Sequence, residues 1–186
     1  MSYYRRADTR GFVDLGWLQS RHSFSFGSWY DPAYMGESVL RVINDDTVSP
    51  GAGFGTHGHR DMEILSYVVQ GTMEHRDSMG HVQRMTAGEF QLMSAGTGVT
   101  HSEYNASTSE TLKFLQIWIL PRQAGLTPSY QQRSFPREED QEGRRLVVSP
   151  DGREGSLQIH QDVELYLLRP QAGQALSHDR GADRGL

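Results

Sequence analysis

From His22 to Leu120 the chain is cut roughly every ten residues by Gly, Pro, Asp, Asn or Ser, with short apolar or alternating runs between the cuts. Such runs are too short for a stable helix but suit a strand, and their regular spacing predicts an all-β sandwich or barrel. Strands are expected at residues 22–26, 39–44, 63–69, 72–76, 82–85, 89–93 and 113–120. Asp45-Asp46, Gln70-Gly71, Asp77-Ser78-Met79-Gly80 and Ala87-Gly88 read as turns, and residues 50–55 and 94–98 as glycine-rich loops. Residues 122–145 shift to Gln, Pro, Glu and Arg, with Pro128, Pro136 and Arg137-Glu138-Glu139-Asp140, the composition of a solvated linker. Strand patterns return at 144–148, 157–160 and 163–168 before a polar tail from 171 to 186. This divides the chain into a first barrel (1–121), a linker (122–145) and a second β domain (146–186).

Several function classes drop out on composition. A formal charge of −5 disfavours a dedicated nucleic-acid binder, since phosphate neutralisation needs a basic surface, and leaves room only for local basic patches. Without cysteine there is no disulfide framework, no thiolate nucleophile and no Cys-based metal site, so any metal must be held by His, carboxylates and water. The N-terminus leads into no apolar signal segment, and the longest apolar run, residues 115–120, is too short to span a bilayer. The expectation is a cytoplasmic protein that is not membrane-bound.

Two short patterns carry the chemistry: His57-Gly58-His59 and His101-Ser102-Glu103, each delivered by a glycine-rich loop. Residues two apart on a strand share a face, so each pair presents two donors together. If the two strands lie close, three imidazoles and one carboxylate converge on one ion. That donor set suits a divalent transition metal, iron first, with copper, nickel, zinc and manganese as alternatives. An octahedral ion would keep two positions open for substrate or dioxygen, whereas a tetrahedral zinc would be saturated. Glu63 is the competing ligand, but about 13 Å of undistorted strand separates it from His59, and it is assigned a supporting role. Glu103, if it can leave the metal, is the candidate catalytic base. His75 and His81 flank a turn and read as solvent-facing or structural, His22 as a core hydrogen-bonding group. Phe24, Phe26, Trp29 and Tyr30 could line a pocket for a planar substrate, although core packing is the ordinary role of such residues. Met62, Met85 and Met93 read as core filling. His160 stands alone in the second half, so no second metal is expected there.

These residues resemble the pirin family of the cupin superfamily. The resemblance rests on His22-Ser23-Phe24-Ser25-Phe26-Gly27, on residues 40–46 (LRVINDD), on Thr56-His57-Gly58-His59-Arg60-Asp61-Met62-Glu63, on Glu74-His75-Arg76-Asp77-Ser78, on residues 91–103 and on Phe114-Leu115-Gln116-Ile117-Trp118. It spans about residues 3–170; Gly58 stands where a proline is usual. The resemblance implies a bicupin, two jelly-roll barrels, with a metal in the first held at His57, His59, His101 and Glu103. It implies a quercetin 2,3-dioxygenase-type oxidoreductase acting on a flavonol-like aromatic substrate, or a metal- or redox-sensing cupin that regulates a partner protein without turnover. The strand pattern breaks off after Leu168, so the second barrel is expected to be incomplete, with a protein partner or self-association through the C-terminal half as its consequence.

Overall fold

The computed structural model describes residues 5–177. Among these residues fourteen strands are formed in order: β1 (Gly11–Asp14), β2 (Leu18–His22), β3 (Leu40–Val48), β4 (Gly53–His59), β5 (Glu63–Gln70), β6 (Thr72–Asp77) and β7 (Val82–Thr86). There follow β8 (Glu89–Ser94), β9 (Val99–Asn105), β10 (Leu112–Ile119), β11 (Ser129–Ser134), β12 (Arg144–Ser149), β13 (Leu157–Gln158) and β14 (Leu165–Leu168). Among the described residues helix is confined to three single 3-10 turns, and none is long and apolar enough to cross a membrane.

Three sheets stack. A seven-stranded sheet, β1-β2-β3-β10-β5-β8-β11, lies between a four-stranded sheet, β4-β9-β6-β7, and a three-stranded sheet, β13-β12-β14. The central sheet is therefore covered on both faces, and β5 is buried at four consecutive positions, Glu63 to Ser66, rather than at alternate ones. Ile64 and Val68 point into the barrel closed by the four-stranded sheet, where they join two apolar layers. Leu65 and Tyr67, one residue out of phase, pack on the other face with Phe90, Leu92, Phe135, Val147, Val148 and Ile159. Full burial of each Leu or Ile stabilises this join by roughly 1.5–3 kcal/mol.

The structure departs from the expected strands in informative places. β3 runs through Asp45-Asp46 instead of turning there, because it pairs with both β2 and β10; Asp46 points into the barrel and is only 2% exposed. His22 closes β2 instead of opening a strand. Within residues 122–145, where composition suggests a linker, Ser129–Ser134 forms β11 and pairs with β8 in full register. β4 begins inside the stretch read as a loop: Gly53 lies so close to Tyr104 and the Glu103 carbonyl that a side chain there would collide with backbone. Among the described residues the second half supplies a three-stranded sheet.

Candidate metal centre

β9 runs down the middle of the four-stranded sheet, with β4 on one side and β6 on the other. His57 stands directly opposite His101, and Asp77 pairs with His101 from the other side; two residues along, His75 pairs with Glu103. β4 carries one extra residue between Phe54 and His57 relative to β9, a β-bulge. The bulge lets Phe54 pack in the apolar layer while His57, three residues later, still faces the barrel interior.

The three imidazoles converge. His101 Nε2 lies 3.0 Å from His59 Nε2 and 3.1 Å from His57 Nε2. The Gly55 carbonyl, which can only accept, lies 2.8 Å from His57 Nδ1. That nitrogen therefore carries a proton, which leaves Nε2 as the ring position that faces its neighbours. One proton on His101 Nε2 cannot satisfy both contacts, so the spacing is that of nitrogens able to share one cation. Two nitrogens bound to one ion at about 2.0–2.1 Å and near right angles sit about 3 Å apart, and the observed spacing matches. Burial, reinforced by the mutual repulsion of the rings, lowers the pKa of His59 to about 4 and that of His101 to about 3. Both are thus neutral near pH 7, the state that ligates metals.

Glu103 is placed differently. It faces the same interior, only 2% exposed, but groups with His75 and His101 rather than with the three converging nitrogens. Its Oε1 accepts from Gln91 Nε2 at 2.6 Å and Ser66 Oγ at 3.3 Å, and its Oε2 from Gln116 Nε2 at 3.1 Å. Ser66, Gln91 and Gln116 come from adjacent strands in one cross-strand row, a polar belt between the two apolar layers.

The remaining candidates separate cleanly. Glu63 faces the opposite side of the central sheet, where its carboxylate accepts from Ser94 Oγ at 2.8 Å and lies 3.3 Å from His160 Nδ1. His160 thus joins the two halves. Phe26 packs edge-on against Trp118 at 5.1 Å, and Trp118 against His59 at 4.9 Å, forming an aromatic wall beside the imidazoles. Trp29 covers Gly11, Phe24 is buried and Tyr30 is exposed. His22 is buried against Phe26, and its Nδ1 makes no hydrogen bond among the described residues. Met85 and Met93 are fully buried.

Sequence reasoning missed the group behind the centre. Asp77 accepts from His75 Nε2 at 3.0 Å, from His81 Nδ1 at 2.9 Å and from the backbone of Met79 and His81. Burial pushes its pKa up, but these hydrogen bonds outweigh it and the net shift is downward. Tyr130 stacks on both rings, 4.6 Å from His75 and 5.0 Å from His81. The spacing His75-x-Asp77, two donors on one strand face, was the available signal.

An antiparallel double-sheet barrel with imidazoles and a carboxylate on its inner wall is a cupin-type metal-binding fold. The sequence matches the family described as Pirin over residues 4–119 and the quercetinase C-terminal cupin domain over residues 146–186. It is 54% identical over 184 residues to the quercetin 2,3-dioxygenase of Escherichia coli K12, covering 99% of this chain and 78% of that protein. The crystal structure of bacterial pirin YhhW from Escherichia coli in complex with nickel(II) superposes with a TM-score of 0.84 at 57% identity, over 88% of this chain and 69% of that one. YhaK from Escherichia coli matches with a TM-score of 0.62 at 34% identity, over 84% and 67% of the two chains. The chain belongs to the pirin family.

Proposed function

We propose that this protein is a metal-dependent dioxygenase that cleaves flavonols such as quercetin with dioxygen. The observation that carries the reading is the convergence of the His57 and His59 imidazoles on His101 Nε2 at 3.0–3.1 Å, the donor set for one divalent transition ion. Similarity to a quercetin 2,3-dioxygenase over nearly the whole chain supports it, and the nickel(II) complex of a relative supports a transition metal. In this reading His57, His59 and His101 hold the ion with Glu103 as fourth ligand, and iron is the first candidate. The bound ion would supply Lewis acidity and a redox partner for dioxygen.

The chain's own residues then have definable tasks. Phe26 and Trp118 offer flat apolar surface to an aromatic ring beside His59. A shallow, open depression bordered by Gly58, His59, Arg60, Ser78 and Thr100 gives an approach to His59 from the surface. Glu103, held by Gln91 and Gln116, would take the 3-hydroxyl proton of the flavonol.

A second reading, a metal- or redox-sensing cupin that regulates a protein partner, is favoured by one observation: three donors already occupy the Glu103 carboxylate. Metal analysis of protein purified without added metal, followed by oxygen uptake with quercetin, separates the two. The dioxygenase reading expects metal-dependent uptake that falls about 100-fold or more in Glu103→Gln. Flavonol binding without oxygen uptake, with iron, copper and nickel alike, would favour the sensor.

A further inference from the structure

Among the residues that line the open depression beside His59, only Arg60 carries a permanent charge. The chain has 23 acidic residues that could pair with it, yet its guanidinium makes no ion pair and no hydrogen bond among the described residues. Nor does it swing away from the surface: Nη2 lies 3.8 Å from the point where a side chain on Gly98 would begin. The charge therefore reaches across the depression. Ser78 stands on the same rim. Its Oγ accepts from the Thr100 backbone at 3.1 Å and keeps its own hydrogen to donate, with no acceptor for it among the described residues.

The backbone fixes this placement. Asp61 has φ +48°, the left-handed region that a non-glycine residue adopts only at a cost. Its N–H donates to the Gly96 carbonyl at 2.9 Å, its Oδ1 accepts from Gly125 N at 2.7 Å, and Thr97 N donates to the Leu126 carbonyl at 2.8 Å. Two neighbouring loops thus clamp the turn that directly follows Arg60. Backbone strain of this kind concentrates at functional sites. Here the turn holds Arg60 on the rim while His59 faces the imidazoles. We propose that Arg60 selects the substrate by charge: the aromatic compound that enters beside His59 is an anion, and Arg60, assisted by Ser78, holds its ionised phenol, carboxylate or sulfonate at the mouth. A lone cation at an open mouth draws anions in without the desolvation cost of a buried ion pair. The inference rests on the reading of this centre as a flavonol dioxygenase and adds the charge of the substrate to it.

The test compares quercetin with quercetin sulfonated on its catechol ring, two probes that differ by one fixed negative charge. Titration of metal-loaded protein at pH 6, followed by flavonol absorbance, should show tighter binding of the sulfonate, with a preference that fades as salt is raised. Arg60→Gln should weaken sulfonate binding on the order of 10-fold and leave quercetin binding within about twofold. Arg60→Lys, which keeps the charge, should retain most of the preference. Arg76→Gln removes a charge from the same sheet but outside the depression, and should leave the preference unchanged. Absence of the preference in wild type, equal loss of both probes in Arg60→Gln, or the same loss in Arg76→Gln would overturn the role of Arg60. If the preference follows Arg60 but neither flavonol supports oxygen uptake, the dioxygenase reading falls and the charge selection stands. If oxygen is consumed while Arg60→Gln changes nothing, the charge selection falls alone.

Discussion

The two faces of the central sheet are built from the same strands yet do opposite work. On β5, β8 and β10 the residues Ser66, Gln91 and Gln116 turn inward and hold Glu103. Their immediate neighbours Leu65, Leu92 and Ile117 turn outward and pack on the second half. One residue of phase separates a polar belt from an apolar join. The consequence is that the metal centre and the docking of the second half can be perturbed independently, although they are one strand thickness apart.

The largest effect should come from the inner wall. His101→Ala is expected to remove most of the bound metal, and His160→Ala, on the opposite face, to leave it bound; elemental analysis of the two proteins checks this. Equal loss from both would mean that the faces are not independent. Next comes the outer face. Phe135 is 2% exposed and sits among Phe90, Val147 and Ile159, so Phe135→Ala should cost roughly 3–5 kcal/mol of stability. Metal content per folded molecule should not change. Denaturant melts with metal analysis of the folded fraction test both halves of that statement.

A smaller effect isolates a charge inside the barrel. Burial raises the pKa of Asp46 to about 7, with Ser20 opposing and the charges of Glu103 and Asp45 adding to the rise. An unfolded Asp releases its proton near pH 4 while the folded one still holds it. The protein therefore loses stability as pH rises from about 4 to about 7 and loses no more above that. Asp46→Asn should abolish that loss and gain on wild type across this window, by about 2 kcal/mol against a ceiling of about 4. Denaturation at pH 4, 6 and 8 reads the difference; a constant gap at all three values would refute the assignment. The smallest effect is expected on the outside of the metal-bearing sheet. Arg76 and Arg84 hold Glu74 and lower its pKa, but the guanidinium groups are largely exposed. Glu74→Ala should change stability by no more than about 0.5 kcal/mol, measured by thermal melting.

Much of this was legible in the sequence, for identifiable reasons. β5, β6, β7, β8 and β10 lie within a residue or two of their expected bounds because apolar runs and turn residues agree there. The convergence of His57, His59 and His101 followed from two-residue periodicity. What stayed hidden depends on partners. Ser129–Ser134 is too polar to announce a strand, and only pairing along β8 makes it one. Asp45-Asp46 has turn chemistry, yet two flanking strands hold it extended. The His75–Asp77–Tyr130 group joins β6 to a strand some fifty residues away, which no local pattern reveals. Glu103 was expected among the imidazoles, but side chains from three other strands meet its carboxylate.

The bulge in β4 has a consequence for how this site tolerates change. A one-residue deletion usually ruins a strand because every later side chain swaps sides. Here, deleting Gly55 would turn an irregular pairing into a regular one, and His57 would still arrive opposite His101. What would vanish is the carbonyl that decides which nitrogen of His57 carries hydrogen. The architecture should forgive the shortening while the chemistry does not, so at this spot a length variant would be a finer probe of the centre than a point mutation.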